Sequence, residues 1–395
     1  MQSDVPPADA PVNESARTVF EALLLAGPLS RAELARRLSL SAGSLTKITR
    51  PLLDAGCLRE ATQAGPQTGG RPSQPLDVDE GFAHFIGIKL TGEGLFGVVT
   101  DARARVLRSM DAYLFDQSVD AVVGQIVNAV NALRAGDERI AGIGISLSGN
   151  ATRDEPTVRT SPFLHWHGVP LATKVTDLTG LPAVLDNDVR ALTAAEHWFG
   201  AGVGLESFAL MTFGAGIGCG MVVNGAQIEG RQGASGLIGH LPIDDRGQLC
   251  YAGHRGCAHA FATSTGLVRT VSSGLGLPML GFEECVELAR KGDPVAATAF
   301  DEAGRAIGQL IATVVNLIGP ERVLISGEGA AMYQLGEMAA RKRLSELLHW
   351  TATAPDVVVR PLDFTDWARG AAVIAIQQHI RQLTSVRPID RSAQS

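Results

Sequence analysis

The 395-residue chain is poor in cysteine, in aromatic side chains and in long apolar runs. Its five cysteines, Cys57, Cys219, Cys250, Cys257 and Cys285, are odd in number and unevenly spread, which argues against a disulfide framework. No apolar run reaches membrane-spanning length. The first fifteen residues, MQSDVPPADAPVNES, carry neither a basic n-region nor an apolar h-region, so a cytoplasmic protein with no membrane partner is expected. What the chain has is 45% hydrophobic residues, ample for real cores, in a length that suggests two or three domains.

The net charge of -7 conceals a division. Residues 15 to 75 hold eight Arg or Lys against four acids, a net +4, which leaves -11 for the rest. A small basic module on a larger acidic body suits a nucleic-acid reader joined to a sensor or an enzyme. A solvated charged face would give the same split.

Within the basic part, a polar tail over residues 1–14 precedes a helix that Asn13 would cap and that runs to Gly27, with Val19, Phe20, Leu23 and Leu24 at helical spacing. Ser30 caps RAELARRLSL, with Glu33 three residues on. After a turn at Leu40-Ser41, a third helix carries Leu45, Ile48 and Leu52 inward. Ser41, Ser44, Lys47 and Arg50 are then placed to meet a major groove and its phosphates, the helix-turn-helix pattern. Pro51 sits deep in that helix and would remove a hydrogen bond. Two short strand candidates, CLREA and PLDVD, flank the loop GPQTGGRPSQ, as in a wing, and Arg71 on its stiff Gly-Arg-Pro backbone suits a minor groove. A winged helix-turn-helix domain over residues 15–80 is the expectation, with double-stranded operator DNA as partner.

From residue 81 to the end the texture changes to apolar strands alternating with helices: HFIGIKL and LFGVVTD as a hairpin, RVLRSMDAYL, the helix VDAVVGQIVNAVNALRAG, and the strand IAGIGISLSG. A second series contains the hairpin FALMTFG and GCGMVVNGAQI, a long helix AATAFDEAGRAIGQLIATVVNLIG and the strand ERVLISG. This is an α/β pattern of two lobes, with ligands expected beyond the carboxyl ends of strands. At such an end stand Asp186-Asn187-Asp188. Asp188 there is a candidate base or acceptor for a sugar hydroxyl, and the same residues also suit the N-cap of the helix DVRALTAAEHWFG. Between Met211 and His259 lie alternating glycines, Gly214 to Gly220, which suit a backbone approaching a phosphate or a glycine-softened hairpin, and His240, Cys250 and Cys257, residue types that bind zinc.

Taken together, the helix-turn-helix, GGRP wing, LDNDVRALTAAEHWFG, GAGIGCG, ASGLIGH, the Cys loop and PERVLISG resemble the ROK family of repressors, open reading frames and sugar kinases, in its regulator branch. The resemblance covers nearly the whole chain. It implies a two-lobed actin-like, hexokinase-like fold, dimeric or tetrameric, in which kinase members phosphorylate hexoses with ATP and regulator members respond to sugars or their derivatives.

The departures from that pattern favour the regulator. Where kinases carry D-x-G-G-T for the ATP phosphates, this chain reads Lys89-Leu90-Thr91-Gly92-Glu93. Glu93 beside phosphates would add like-charge repulsion of about 1 kcal/mol or more. Asn187, Asp188 and His240 match the family's sugar-binding set, Asp188 at its catalytic-base position. Leu237, His259 and Phe163 replace two glutamates and an asparagine. The family's middle zinc cysteine is Ala252, which leaves His240, Cys250 and Cys257 with His254 or His259 to complete a structural zinc site. The expectation is a repressor of carbohydrate-related genes whose kinase-like body senses a sugar, without catalytic residues and without ATP. An active ROK sugar kinase with a DNA-binding appendage is the alternative.

Overall fold

The computed structural model describes residues 10–61, 74–233 and 235–382. Helix α1 (Ala10–Ala26) begins a turn earlier than the sequence suggests, so Asn13 lies inside it and does not cap it. Pro11 in the first turn removes no intrahelical hydrogen bond, which lets the helix extend back past Asn13. Helix α2 (Arg31–Arg37) is capped by Ser30 and α3 (Ala42–Asp54) by Ser41, whose hydroxyls accept the N–H groups of Glu33 and Ser44. Helix α3 continues through Pro51 for almost another turn, so the proline removes one hydrogen bond without ending the helix. Strands β1 (Leu58–Glu60) and β2 (Leu76–Val78) pair antiparallel, and Leu29 bridges to Leu76 beside them.

The body consists of two sheets of the same topology. The first lobe contains β3 (His84–Leu90), β4 (Gly94–Thr100), β5 (Val106–Tyr113), α4 (Val119–Arg134), β6 (Ile140–Leu147), the small hairpin β7 (Val158–Ser161) and β8 (Trp166–Val169), then α5 (Leu171–Thr179), β9 (Ala183–Asn187) and α6 (Asp188–Phe199). Its sheet runs β5-β4-β3-β6-β9, an antiparallel meander followed by two parallel strands. The second lobe contains β10 (Phe208–Phe213), β11 (Ile217–Val223), β12 (Ala226–Gln227), α7 (Ala258–Phe261), α8 (Ser264–Leu275), α9 (Phe282–Arg290), α10 (Pro294–Ile318), β13 (Arg322–Ser326), α11 (Ala331–Leu335), α12 (Glu337–Leu347) and β14 (Asp356–Val359). Its sheet order, β12-β11-β10-β13-β14, repeats the first. The expected hairpins β3-β4 and β10-β11 are both present.

The last helix, α13 (Phe364–Gln382), leaves the second sheet and lies on the first, against β3, β6 and α6. Methyl groups added at Gly87 on β3 or Gly144 on β6 would collide with the backbone of α13 at Ala368 and Ala371, so these two glycines let the helix settle onto the sheet. Helix α13 also touches α1. One continuous apolar core therefore runs from Phe20 and Leu23 of α1, through Phe85 of β3 and Ala372 and Ile376 of α13, to Ala191 and Ala195 of α6.

Candidate functional site

The strand ends of the two lobes face a cleft of about 1270 Å³, more than the roughly 300–1,000 Å³ of an ordinary small-molecule pocket. Asn187, Asp188 and His240 all line it. Asn187 is the N-cap of α6: its Oδ1 accepts the N–H groups of Val189 (3.0 Å) and Arg190 (3.2 Å), and its Nδ2 donates to the Gly149 carbonyl. Asn187 thus supplies the cap while it and Asp188 both line the cleft. Asp188 accepts the N–H of Val189 and points into the cleft, where it meets the ammonium of Lys89 from the end of β3. Both side chains of that pair are at least 90% buried, and Lys89 sits 5.1 Å from the ring centroid of Trp367 on α13. Lys89 is therefore the direct partner of Asp188, a contact invisible along the sequence because the two lie 99 positions apart.

Behind them Asp186 is fully buried between Arg153 (2.5 Å) and Arg190 (3.1 Å). Arg153 also donates to Gln377 of α13 and to Gln227 of β12, so one guanidinium ties the first lobe to both the second lobe and the C-terminal helix.

The alternating glycines divide into two kinds. Side chains at Gly218 and Gly220 would strike Val189 and Thr193, so these two exist to let α6 approach β11. Gly214 and Gly216 form the β10-β11 turn, where the carboxylate of Glu328 accepts the N–H of Ala215 at 2.8 Å. A methyl group at Gly214 would overlap that carboxylate. Glu328 follows β13 and escaped the sequence reading, although the carboxyl end of a parallel strand was the signal to look for. In the facing β3-β4 turn, the Thr91 hydroxyl accepts the N–H groups of Glu93 (3.2 Å) and Gly94 (2.9 Å). Phe163 and Leu237 are exposed to the cleft, as are Tyr113 and Tyr251.

Beside the cleft, His240, Cys250, His254 and Cys257 bring one ligand atom each within 4.8 Å of one another. The Cys250 sulfur lies 3.6 Å from Nδ1 of His240 and 3.7 Å from Nδ1 of His254, and the Cys257 sulfur 3.5 Å from Nδ1 of His240. Zinc bonds of about 2.3 Å to sulfur and about 2.05 Å to nitrogen give a tetrahedral sulfur–nitrogen edge of about 3.6 Å, which these three separations match. His254 is the fourth donor of this group. His259 stacks on the His240 ring instead, 5.4 Å away. Burial holds the imidazoles of His240 and His259 below their ordinary range, toward the neutral form. Burial also raises both thiols, but backbone N–H donors outweigh it at Cys250, which lies below the usual thiol value while Cys257 stays above. Cys219, pushed up to about 12 by burial, stands apart as a core thiol.

On the small module, Ser41, Ser44, Lys47 and Arg50 are all exposed, while Leu45, Ile48 and Leu52 are buried. The Ser41 hydroxyl is already committed to its cap and Arg50 pairs with Asp54, which leaves Lys47 the least engaged of the four. Arg71 lies outside the described residues.

The sequence model described as the ROK family matches residues 85–378. The chain is 28% identical over 317 residues to the DNA-binding transcriptional dual regulator NagC of Escherichia coli, covering 76% of this chain and 77% of that one. It is 30% identical over 257 residues to a glucokinase of Thermotoga maritima, covering 61% and 81%. Its structure is similar to that of a ROK family transcriptional regulator described as a homologue of the E. coli MLC protein, with a TM-score of 0.83 at 26% identity over 95% of this chain and 99% of the other.

Proposed function

The chain belongs to the ROK family, and from that premise we propose that it is a DNA-binding transcriptional repressor of carbohydrate-related genes that senses a sugar or sugar derivative and has lost phosphoryl transfer. The observation that carries the reading is the buried Lys89–Asp188 pair. A general base must offer a free oxygen to the hydroxyl proton it removes. Here that oxygen holds an ammonium, and the carboxylate and ammonium together form a polar floor able to bind hydroxyls rather than activate them. Exposed aromatic faces at Phe163, Tyr113 and Tyr251 offer the apolar contacts that sugar rings accept.

Sensing reaches DNA through the shared core. A ligand at Asn187 and Asp188 sits on the first turn of α6, α6 packs on α13, and α13 packs on α1 of the small module. The junction is tied further by Arg103, which donates to Asp77 of β2 at 2.6 Å and to the Leu23 carbonyl, and by Phe82, 5.5 Å from Phe20 in α1. Closure of the lobes then changes the spacing of two recognition helices in a homodimer, and mismatched half-sites weaken binding. The module over residues 15–80 docks with α3 in the major groove and Arg71 in the minor groove. A structural zinc held by His240, Cys250, His254 and Cys257 fixes the cleft wall that carries His240.

The test is a genomic fragment retained by the protein, released by sugars from a panel. Lys47→Ala should weaken retention and reduce the salt slope of binding by about one. Unaltered retention removes Lys47 from the interface. Phosphorylation of any sugar with ATP and magnesium that depends on Asp188 would overturn the sensing reading in favour of a kinase, and the glucokinase among the relatives makes that the comparison to run.

A further inference from the structure

We propose that Glu328 is a resident anion of the β10-β11 glycine turn, a side chain that occupies a phosphate position and so closes this half of the cleft to nucleotides. Glycine turns bind phosphate because their backbone N–H groups converge without side chains in the way. At this turn the Ala215 N–H is taken by the Glu328 carboxylate at 2.8 Å, the Gly214 N–H by the Gly216 carbonyl at 3.0 Å, and the space a side chain at Gly214 would need is filled by the same carboxylate.

The opposite turn is satisfied in the same manner. Thr91 accepts from Glu93 and Gly94, and Glu93 adds a second carboxylate to the cleft lining. The cation at the end of β3 is spent on Asp188. A nucleoside polyphosphate entering here would meet two carboxylates and two turns in which the N–H groups of Gly214, Ala215, Glu93 and Gly94 are engaged. Glu328 is exposed on its turn, and its side-chain bond there is to the Ala215 N–H of the glycine turn. The consequence is a specificity rule: the cleft admits neutral ligand groups beside the glycine turn and rejects phosphates there. This rests on the cleft serving as a ligand site but not on which sugar it binds.

Isothermal titration with ADP and with adenosine separates the charge from the shape of the site. Glu328→Ala, and the near-isosteric Glu328→Gln, should bind ADP at least about tenfold more tightly than the unsubstituted protein, about 1.4 kcal/mol, with adenosine affinity unchanged. A gain below about threefold in both variants, including no detectable binding, overturns the proposal. So does an equal gain for adenosine, which would mark Glu328 as a steric obstacle only, or tight ADP binding by the unsubstituted protein. Sugar-dependent release of the unsubstituted protein from DNA is measured in parallel. Its persistence when the ADP result is negative would sink the resident anion and leave sensing intact.

Discussion

Replacing Lys89 by methionine tests the centre of the argument. The substitution keeps the length of the side chain and its contact with Trp367 but removes the ammonium from a carboxylate that is 90% buried. Breaking such a pair by removing one partner costs about 3–5 kcal/mol, because the other charge stays buried without compensation. The low end applies here, since Asp188 keeps the Val189 N–H at 2.9 Å and the cleft admits water on one side. Asp188→Asn alone strands the ammonium and should cost a similar amount. The double variant strands neither, and its loss should fall to about 1 kcal/mol, giving a coupling energy of at least about 2 kcal/mol. Urea denaturation read by tryptophan fluorescence and by circular dichroism supplies the four free energies, provided that the two probes coincide. The coupling should survive 1 M salt, where the screening length is only about 3 Å, because the pair lies inside the protein. A Lys89→Met variant within about 0.5 kcal/mol of the unsubstituted protein, or a coupling that vanishes in salt, would refute a buried ion pair at the base position.

Two further outcomes follow from the geometry. The purified protein should carry about one zinc per chain by elemental analysis, and Cys257→Ser should abolish it and lower the thermal midpoint, whereas Cys285→Ser, in the core away from the cluster, should leave the metal in place; a metal-free protein of full stability would end the zinc assignment. At the module–body junction, burial holds the His379 imidazole, which lies 5.4 Å from Phe85 and 6.0 Å from Phe82, below its ordinary value of 6.5. Because the folded value is the lower one, the unfolded chain binds more protons, so His379 carries no penalty above pH 6.5 and a growing one as pH falls through 6.5 toward its folded value. His197 acts in the same direction. Glu21, raised by burial, acts in the opposite one, its contribution present below 4.5 and fading as pH rises through its folded value. His379→Phe should therefore flatten the loss of stability between pH 6.5 and 5, and an unchanged slope would mean the junction does not hold a neutral imidazole.

How far the chain could be read in advance depended on how local each cause was. The helices of the small module carried their signals within a few residues: Ser30 and Ser41 as caps, Leu45, Ile48 and Leu52 as an inward stripe. Both body hairpins showed in their apolar runs. Helix α13 showed nothing, because Ala368, Ala371, Ile374 and Ile376 are buried on several faces between the sheet, α6 and α1, and a helix buried all round has no stripe to find. Asn13 is a capping residue type, yet the helix starts before it, with Pro11 in the first turn. The candidate site was legible as residue types and not as partnerships. Lys89 read as a lost phosphate ligand, whereas its effect is exerted on Asp188. Four alternating glycines read as one motif, whereas Gly218 and Gly220 serve α6 and only Gly214 and Gly216 shape the turn.

The partnerships have one consequence for a sensor that a list of residues does not contain. In a kinase site the polar groups of the cleft wait for substrate. Here Asp188 is held by Lys89, the glycine turn by Glu328, and the facing turn by Thr91, so these groups already have partners within the chain. A ligand gains only the difference between its own contacts and those it displaces, and its apparent affinity falls by the fraction of molecules in which the site is open. The elements nearest to these charges are α6 and α13, to which Asp188, Arg153 and Trp367 connect. Those two helices share the core that holds α1. In the reading proposed above, these contacts oppose turnover and tie occupancy of the cleft to the core that holds α1.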